Sequence, residues 1–580
     1  MKQLKRNIGW LLFCWFCIGL QAQEKTVRLK ILQTSDVHGN FFPYNFITHE
    51  SWKGSLARVA TFVDEQRQTY GDRLLLFDNG DILQGQPTAY YYNYMDTVTP
   101  HLCAQMMNRM RYDAGNVGNH DVETGRSVLA RFVRQCDFPI LGANIIDVAT
   151  DRPLLPPYRI FVRDGVKVAV LGLITPAIPA WLPADLWKGL RFDDMKQTAE
   201  RWMKVLKEKE QPDIVIGLFH AGQEAVRMAG KYNENASLEV ARSVPGFDVV
   251  LMGHDHTKAC KKVVNSMGDS VLVIDPGSNG DWVSEVELTV RLKEGRVCKK
   301  RVDGQLRSMA DYTPDKAFMT TFSTAFDTIN AFVSKKIGRF TQSVSIRPAY
   351  FGPSAFVDFI HALQLDITGA DVSFAAPLSF DTEIKSGDVS VSDMFKLYQY
   401  ENMLYVMTLS GREIKGFLEE SYYHWTNRMT SPDDHLLWFR QKKNKRPNDD
   451  YKLQYFSFNF DSAAGICYTV DVTKPKGEKI TIISMADGRP FSLNKIYKVA
   501  LNSYRANGGG ELLTKGAGIP QERLKERVIF ATDKDFRFYL MRYIEKQGVL
   551  TPKALNQWRF IPEEWTKPAA QRDYKLLFEN

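Results

Sequence analysis

Between residues 26 and 300, short apolar runs recur with room for one helix or loop between them, and this alternation constrains the fold most. VRLKILQTS, DRLLLFDNG, FPILGANI, GVKVAVLGLIT, PDIVIGLFH, FDVVLMGH and DSVLVIDPG each read as a buried strand of about five to eight residues. Between them, ARVATFVDEQRQTY and DMKQTAERWMKVLKEKE space apolar residues near the helical period, with charges on the outer faces. Strands alternating with helices define an α/β domain over residues 26–310. Asp315 to Gly338 predicts one long amphipathic helix, which makes residues 311–340 a helical linker. A second α/β domain is expected over 341–565. It contains SAFVDFIHALQLDITG (helix), NMLYVMTLS (strand), GREIKGFLEESYYHW (helix) and ICYTVDVT (strand), and residues 566–580 are read as a tail. QKKNKRPNDD, from Gln441 to Asp450, reads as a solvated loop. A chain of 580 residues is too long for one compact core, so two domains joined by a helix is the expected architecture.

The first 25 residues read as a signal peptide. Basic MKQLKRN precedes a 13-residue apolar run, Ile8 to Leu20, shorter than the ~20 residues a membrane-spanning helix needs. Leu20-Gln21-Ala22 then offers a small-residue exit, with cleavage expected just after Ala22 or Gln23. The expectation is an exported, periplasmic protein with no integral membrane span after cleavage. The net charge is +8, and three of the basic residues (Lys2, Lys5, Arg6) belong to that leader. What remains is too weak and dispersed for a nucleic-acid polymer, yet does not repel a small anion. Cys14 and Cys17 leave with the leader. Cys103, Cys136, Cys260, Cys298 and Cys467 are odd in number and widely spaced, which excludes a disulfide-dense scaffold and leaves any pairing open.

The chemistry concentrates where strands end. VRLKILQTSDVHGN puts Asp36 and His38 two apart, on one face. RLLLFDNGD ends at Asp81, AGNVGNHD at Asn119, His120 and Asp121, DIVIGLFH at His220, and DVVLMGHDH at His254 and His256. Crevices beyond the carboxyl ends of strands are where α/β folds bind ligands. Carboxylate, imidazole and one amide oxygen suit two borderline divalent ions such as zinc, manganese, cobalt or iron, with no thiolate to select zinc. Such a pair, bridged by a carboxylate, activates a water for in-line attack and neutralises phosphoryl oxygens.

The order Asp-x-His, Gly-Asp, Gly-Asn-His-Asp, His, Gly-His-Asp-His resembles the calcineurin-like metallophosphoesterases. That resemblance implies a four-layer α/β/β/α domain in which Asp36, His38 and His256 hold one metal. Asn119, His220 and His254 would hold the other, with Asp81 bridging and His120 acting without touching metal. Whether Glu123 or Asp121 backs His120 stays open. In the second half, GPSAFVDFIHAL, YQYENML, FSFNFDSAAGICYTVDVTKP and NSYRANGGGELL resemble the nucleotide-binding domain of exported 5′-nucleotidases and cyclic phosphodiesterases. The likeness is closer to 2′,3′-cyclic-nucleotide 2′-phosphodiesterase/3′-nucleotidases, with 5′-nucleotidase or UDP-sugar hydrolase as the alternative and a non-catalytic nucleotide-binding surface protein as the rival class. It implies that Tyr400 and Tyr504 sandwich a base. Asn402 would bond the base or ribose or brace its loop, and Gly508, Gly509 and Gly510 would let the backbone approach the ligand. An arginine that grips 5′-phosphates in this group has no counterpart in AAPLSFDTEIKSG. Asp381 falls about there, and Arg347 or Arg505 is the candidate to replace it. AYYYNYMD, Ala89 to Asp96, reads as packing.

Overall fold

The structure, a computed structural model, describes residues 24–224, 232–440 and 451–579. The Gln441–Asp450 loop and all but the last two residues of the expected leader lie outside the described residues. Two six-stranded sheets stack in the N-terminal half. The first has the order β12-β11-β1-β2-β3-β4, from β1 (Glu24–Thr34), β2 (Leu74–Asp78), β3 (Ala114–Asn116), β4 (Ile140–Leu141), β11 (Trp282–Lys293) and β12 (Arg296–Ser308). The second runs β9-β10-β8-β7-β6-β5, from β5 (Tyr158–Arg163), β6 (Val166–Ile174), β7 (Ile214–His220), β8 (Val249–Leu251), β9 (Ala259–Val264) and β10 (Ser270–Asp275). β1 to β4 pair in parallel, as do β6, β7, β8 and β10.

Period-two alternation sorts each strand between two cores. Leu75 and Phe77 of β2 meet Val168, Val170, Ile216 and Leu218 between the sheets. Leu74 and Leu76 turn the other way, onto α1 (Leu56–Tyr70), α2 (Leu102–Arg109) and α3 (Arg126–Gln135). Ala169, Leu171 and Phe219 face α4 (Met195–Val205) and α5 (Ser237–Ser243). Both faces of both sheets are therefore covered, giving the four-layer α/β/β/α sandwich. Each of these buried aliphatic side chains contributes about 1.5–3 kcal/mol.

The expected connector helix is broken. α6 (Lys316–Thr321) stops at Phe322, α7 (Ser323–Ser334) restarts, and Lys336–Phe340 is already a strand. Thr320 and Thr321 return their hydroxyls to the carbonyls of Lys316 and Ala317, which loosens a helix end, while Phe318 and Phe322 are buried in the core between the first sheet and α1 to α3. FPILGANI is likewise two short strands, Ile140–Leu141 and Ile145–Asp147, because the chain turns at Gly142 to Asn144 between them.

The C-terminal half is built on a five-stranded sheet of order β15-β13-β16-β14-β17. Its strands are β13 (Val372–Ala375), β14 (Met403–Ser410), β15 (Ser462–Ala464), β16 (Ile496–Asn502) and β17 (Val528–Asp535). α8 (Ala355–Thr368) and α9 (Gly411–Trp425) pack on it. α9 starts in a capping box in which Ser410 accepts from Glu413 N–H and Glu413 from Ser410 N–H. α10 (Phe536–Gln547) follows β17. The expected tail is instead mostly helix, Glu563–Phe578. Ala569 packs into the core, and buried Asp573 accepts from the backbone N–H groups of Leu436 and Leu437. Cys103, Cys136, Cys260, Cys298 and Cys467 are all free thiols.

Candidate active site

β1, β2, β3, β7 and β8 end at one edge of the sandwich, and their exits bring the seven candidate ligands together. Asp36, His38, Asp81, His254 and His256 all adopt left-handed backbone, with φ of 51°, 49°, 55°, 80° and 54°. Such conformations cost about 1–3 kcal/mol each at non-glycine residues and persist only where the surroundings over-determine them. Here the loops brace one another: Asp36 N–H donates to Gly80 O at 2.9 Å, His38 N–H to Asp81 O at 3.0 Å, and Asn279 N–H to Asp36 O at 2.8 Å. Glycine is required at position 118, where a Cβ would lie 2.1 Å from Asp81 Oδ1.

Two clusters result. The ligand atoms of Asp36, His38 and His256 lie within 4.8 Å of one another, as do those of Asp81, His220 and His254. His38 directs Nδ1 at the Gln84 carbonyl (3.2 Å), which leaves its Nε2 lone pair 3.0 Å from His256 Nε2. His220 donates Nδ1–H to Asn79 O at 2.7 Å, so its Nε2 faces Asn119 Oδ1 and Asp81 Oδ2, each at 3.1 Å. Lone pairs converging on lone pairs repel unless a cation lies among them, and this donor set fits divalent ions. Burial pushes His38 down to about 4, which keeps it neutral. Burial also opposes charge on His220, but Asp81 outweighs it and drives that imidazole up to about 10. The field of the site favours positive charge.

His120 opens the short helix Asn119–Glu123, and Glu123, one turn on, holds its Nδ1 at 2.5 Å. Asp121 does not back the ring. It accepts four backbone N–H groups, from Gly118, Asp81, Ile82 and Leu83, at 2.8–3.0 Å, and so clamps the Asp81 loop to the Asn119 loop. Burial opposes a charged His120, yet Asp81 and Glu123 push it up to about 9.

A cavity of about 330 Å³ runs from Asn119, His120 and His254 to Tyr400, Asn402, Phe458 and Tyr504, spanning both halves of the chain. The Tyr400 and Tyr504 rings each stand edge-on to Phe458, at 6.3 and 6.4 Å. Asn402 lines the cavity and also braces the loop, its carbonyl accepting Phe536 N–H at 2.8 Å. The three glycines lie elsewhere. Gly508, Gly509 and Gly510 border a separate cavity of about 390 Å³ shared with Trp181, and a Cβ at Gly509 would come within 2.5 Å of the Tyr504 ring. Their smallness lets the chain pack behind Tyr504. Arg505 is buried against Asp461 at 2.6 Å, and Arg347 forms a two-point pair with Asp381 at 2.6 and 2.8 Å. Among the described residues that line the cavity there is no lysine or arginine, and Asp381 is not one of them.

Sequence reasoning passed over Glu234, whose carboxylate lies 3.0 Å from His254 Nε2, and Trp181, stacked on the same imidazole. It also passed over Phe458, although FSFNFD carried a readable aromatic beside a matched motif.

A four-layer α/β sandwich with paired carboxylate–imidazole clusters at its strand ends defines a metallophosphoesterase, a fold that holds divalent metal ions. Residues 29–258 match the family model described as calcineurin-like phosphoesterase, and residues 335–515 match the 5′-nucleotidase, C-terminal domain. The chain belongs to the calcineurin-like phosphoesterases that carry a 5′-nucleotidase C-terminal domain, and it is a phosphoric ester hydrolase. It is 26% identical to the trifunctional nucleotide phosphoesterase protein YfkN of Bacillus subtilis over 94% of this chain, which spans 40% of that protein's length. It is also 26% identical to the 2′,3′-cyclic-nucleotide 2′-phosphodiesterase/3′-nucleotidase of Yersinia enterocolitica, over 93% of this chain and 89% of that one. A Staphylococcus aureus protein assigned as a 5′-nucleotidase, solved with α-ketoglutarate, shares the fold. Its TM-score is 0.76 at 22% identity, covering 92% of this chain and 100% of that one.

Proposed function

We propose that the protein hydrolyses nucleotide phosphoesters between its two domains, favouring 2′,3′-cyclic and 3′-nucleotides over 5′-nucleotides. One observation carries this: a single cavity joins the imidazole–carboxylate centre to the Tyr400–Tyr504 ring pair without a lysine or arginine along it. Asp36, His38 and His256 would hold one divalent ion and Asn119, His220 and His254 the other, with Asp81 serving both. Bound there, such ions supply an activated water and neutralise phosphoryl oxygens, and zinc, manganese, cobalt and iron all suit the donors. His120, kept protonated by Asp81 and Glu123, is placed to donate to the leaving oxygen.

A diphosphate chain running from C5′ would need cations beyond that centre, and the two candidate arginines are committed to Asp381 and Asp461. A cyclic or 3′-phosphate makes no such demand. The two relatives whose names state phosphoesterase activity on nucleotides, one of them on 2′,3′-cyclic nucleotides, support the same reading. Export to the periplasm is part of the proposal and rests on the N-terminal sequence. Among the described residues, no helix is long and apolar enough to cross a membrane.

The test is a hydrolysis panel of 2′,3′-cyclic, 3′- and 5′-nucleotides and a UDP-sugar, with Mn²⁺, Zn²⁺ and Co²⁺ added separately. The first two classes should exceed 5′-nucleotides in kcat/KM by at least about tenfold, or ~1.4 kcal/mol in transition-state binding. Preference for 5′-AMP over 2′,3′-cyclic AMP would overturn the order in favour of a 5′-nucleotidase.

A further inference from the structure

The tyrosine-rich segment that follows the Asp81 loop does more than pack. Tyr90 and Tyr94 sit four residues apart on adjoining helical turns, Pro87–Tyr90 and Tyr91–Met95, and so share a face. Both reach into the C-terminal domain. Tyr90 donates its hydroxyl to Asp535 Oδ2 at 2.9 Å, and Tyr94 donates to Glu401 Oε2 at 3.0 Å. Glu401 lies between Tyr400 and Asn402, the residues that bring β14 to the cavity. Asp535 caps α10, accepting the N–H groups of Arg537 and Phe538.

Arg537 joins the two carboxylates. It is 1% exposed, places Nη2 3.1 Å from Glu401 Oε1, and lays its guanidinium 4.7 Å from the Tyr90 ring centre and 4.2 Å from that of Phe395. Buried Glu401 and half-buried Asp535, whose Oδ1 lies 3.7 Å from Arg537 Nε, therefore share one guanidinium, and the second oxygen of each is met by a hydroxyl from the other domain. At its other end the same segment is tied to the hydrolytic centre. Gln84 meets His38 Nδ1, and Gln86 N–H donates to His38 O at 2.9 Å. Fourteen residues of chain, Asp81 to Tyr94, thus carry Asp81, hold His38 and grip the base-side loop.

We propose that Tyr90 and Tyr94 are positioning residues that set the distance between the hydrolytic centre and the Tyr400–Tyr504 platform, acting through Asp535 and Glu401. Without the Tyr94 hydroxyl, Glu401 Oε2 loses its donor in a buried interface and the Tyr400–Asn402 loop is drawn toward water. Tyr94→Phe removes one oxygen and keeps the ring, so no packed side chain is lost from either core.

This inference rests on the nucleotide reading above, and the experiment separates the two. Steady-state kinetics of wild type, Tyr94→Phe, Tyr90→Phe and Glu401→Gln would use 2′,3′-cyclic AMP and bis(4-nitrophenyl) phosphate, a diester that needs no base platform. Metal content and melting temperature would be followed alongside. For Tyr94→Phe, KM for the nucleotide should rise about tenfold, the weight of a hydrogen bond to a charged group, while kcat/KM for the diester and the metal content hold. Glu401→Gln should show the same split, and Tyr94→Phe/Glu401→Gln should lose no more than the worse single variant. Wild type that cleaves the diester but no nucleotide defeats the nucleotide reading before any variant is made. Wild type that cleaves nucleotides, with Tyr94→Phe and Glu401→Gln unchanged in KM or losing both substrates equally, defeats this inference alone.

Discussion

Asp81 stands between the loops of the hydrolytic centre, with Oδ2 facing His220 and Oδ1 receiving the His120 N–H at 2.7 Å. Its carboxylate acts electrostatically on His220, His120 and His38, so its loss is felt in both clusters. Asp81→Ala is expected to bind less than one equivalent of metal and to be inactive, whereas Asn119→Ala keeps one tight ion. Two full equivalents in Asp81→Ala by metal analysis would remove the bridging role. His120 makes a different prediction, because its ring is spent on Glu123 and the cavity. His120→Asn should keep its metal and lose ~10²–10⁴-fold in kcat, the usual weight of a general acid or oxyanion-type donor. Glu123→Gln should lose less, in the same parameter. A fall in metal content that tracks the fall in rate would make His120 a ligand.

The elements of the N-terminal half do their work at their ends. The loops beyond β1, β2 and β3 are packed so closely that glycine is the limit at position 118. A methyl group there meets Asp81 Oδ1 and N at 2.1 and 2.4 Å, while the φ of −100° suits any residue. Gly118→Ala therefore isolates displacement of Asp81 from backbone strain. It should lower metal affinity by about 10–100-fold, as changes behind metal ligands commonly do, with far-UV circular dichroism unchanged. Unaltered affinity in calorimetric titration would show that Asp81 can move without cost. Other elements resist reading from their own residues. The 3.6-residue pattern from Asp315 to Gly338 is real, yet threonine back-bonds and the burial of Phe322 divide it into two helices. Residues 566–580 look like a tail until Ala569 and Asp573 are seen against the C-terminal core.

At the scale of the whole molecule, the C-terminal domain is fastened by a buried imidazole. His361 of α8 faces Ser373 of β13 at 2.9 Å and Ser462 of β15 at 3.1 Å, and burial pushes it down to about 3. The unfolded chain titrates near the ordinary 6.5 and so binds more protons than the fold between about pH 6.5 and 3. Stability is fully present above that window and falls as pH drops through it, by up to about 1.4 kcal/mol per pH unit. Urea melts of wild type and His361→Gln at pH 7.5 and 5 should show a smaller pH-dependent loss in the variant. Equal losses would mean that His361 protonates in the fold. Much of this molecule was legible beforehand, because strand alternation and the residues just past each strand are local properties. The seven candidate ligands and His120 were visible as Asp36-x-His38, Asp81, Asn119-His120, His220 and His254-x-His256, and Tyr400 and Tyr504 as parts of recognisable loops. Local sequence could not assign partners. Glu123 rather than Asp121 holds His120, Arg347 is taken by Asp381, the glycines lie behind Tyr504, and Tyr90 and Tyr94 cross to Asp535 and Glu401. Each of those choices depends on which groups arrive together from distant parts of the chain. A buried donor or acceptor takes the partner that packing brings within 3 Å, a condition set by the assembled tertiary structure and not by spacing along the sequence.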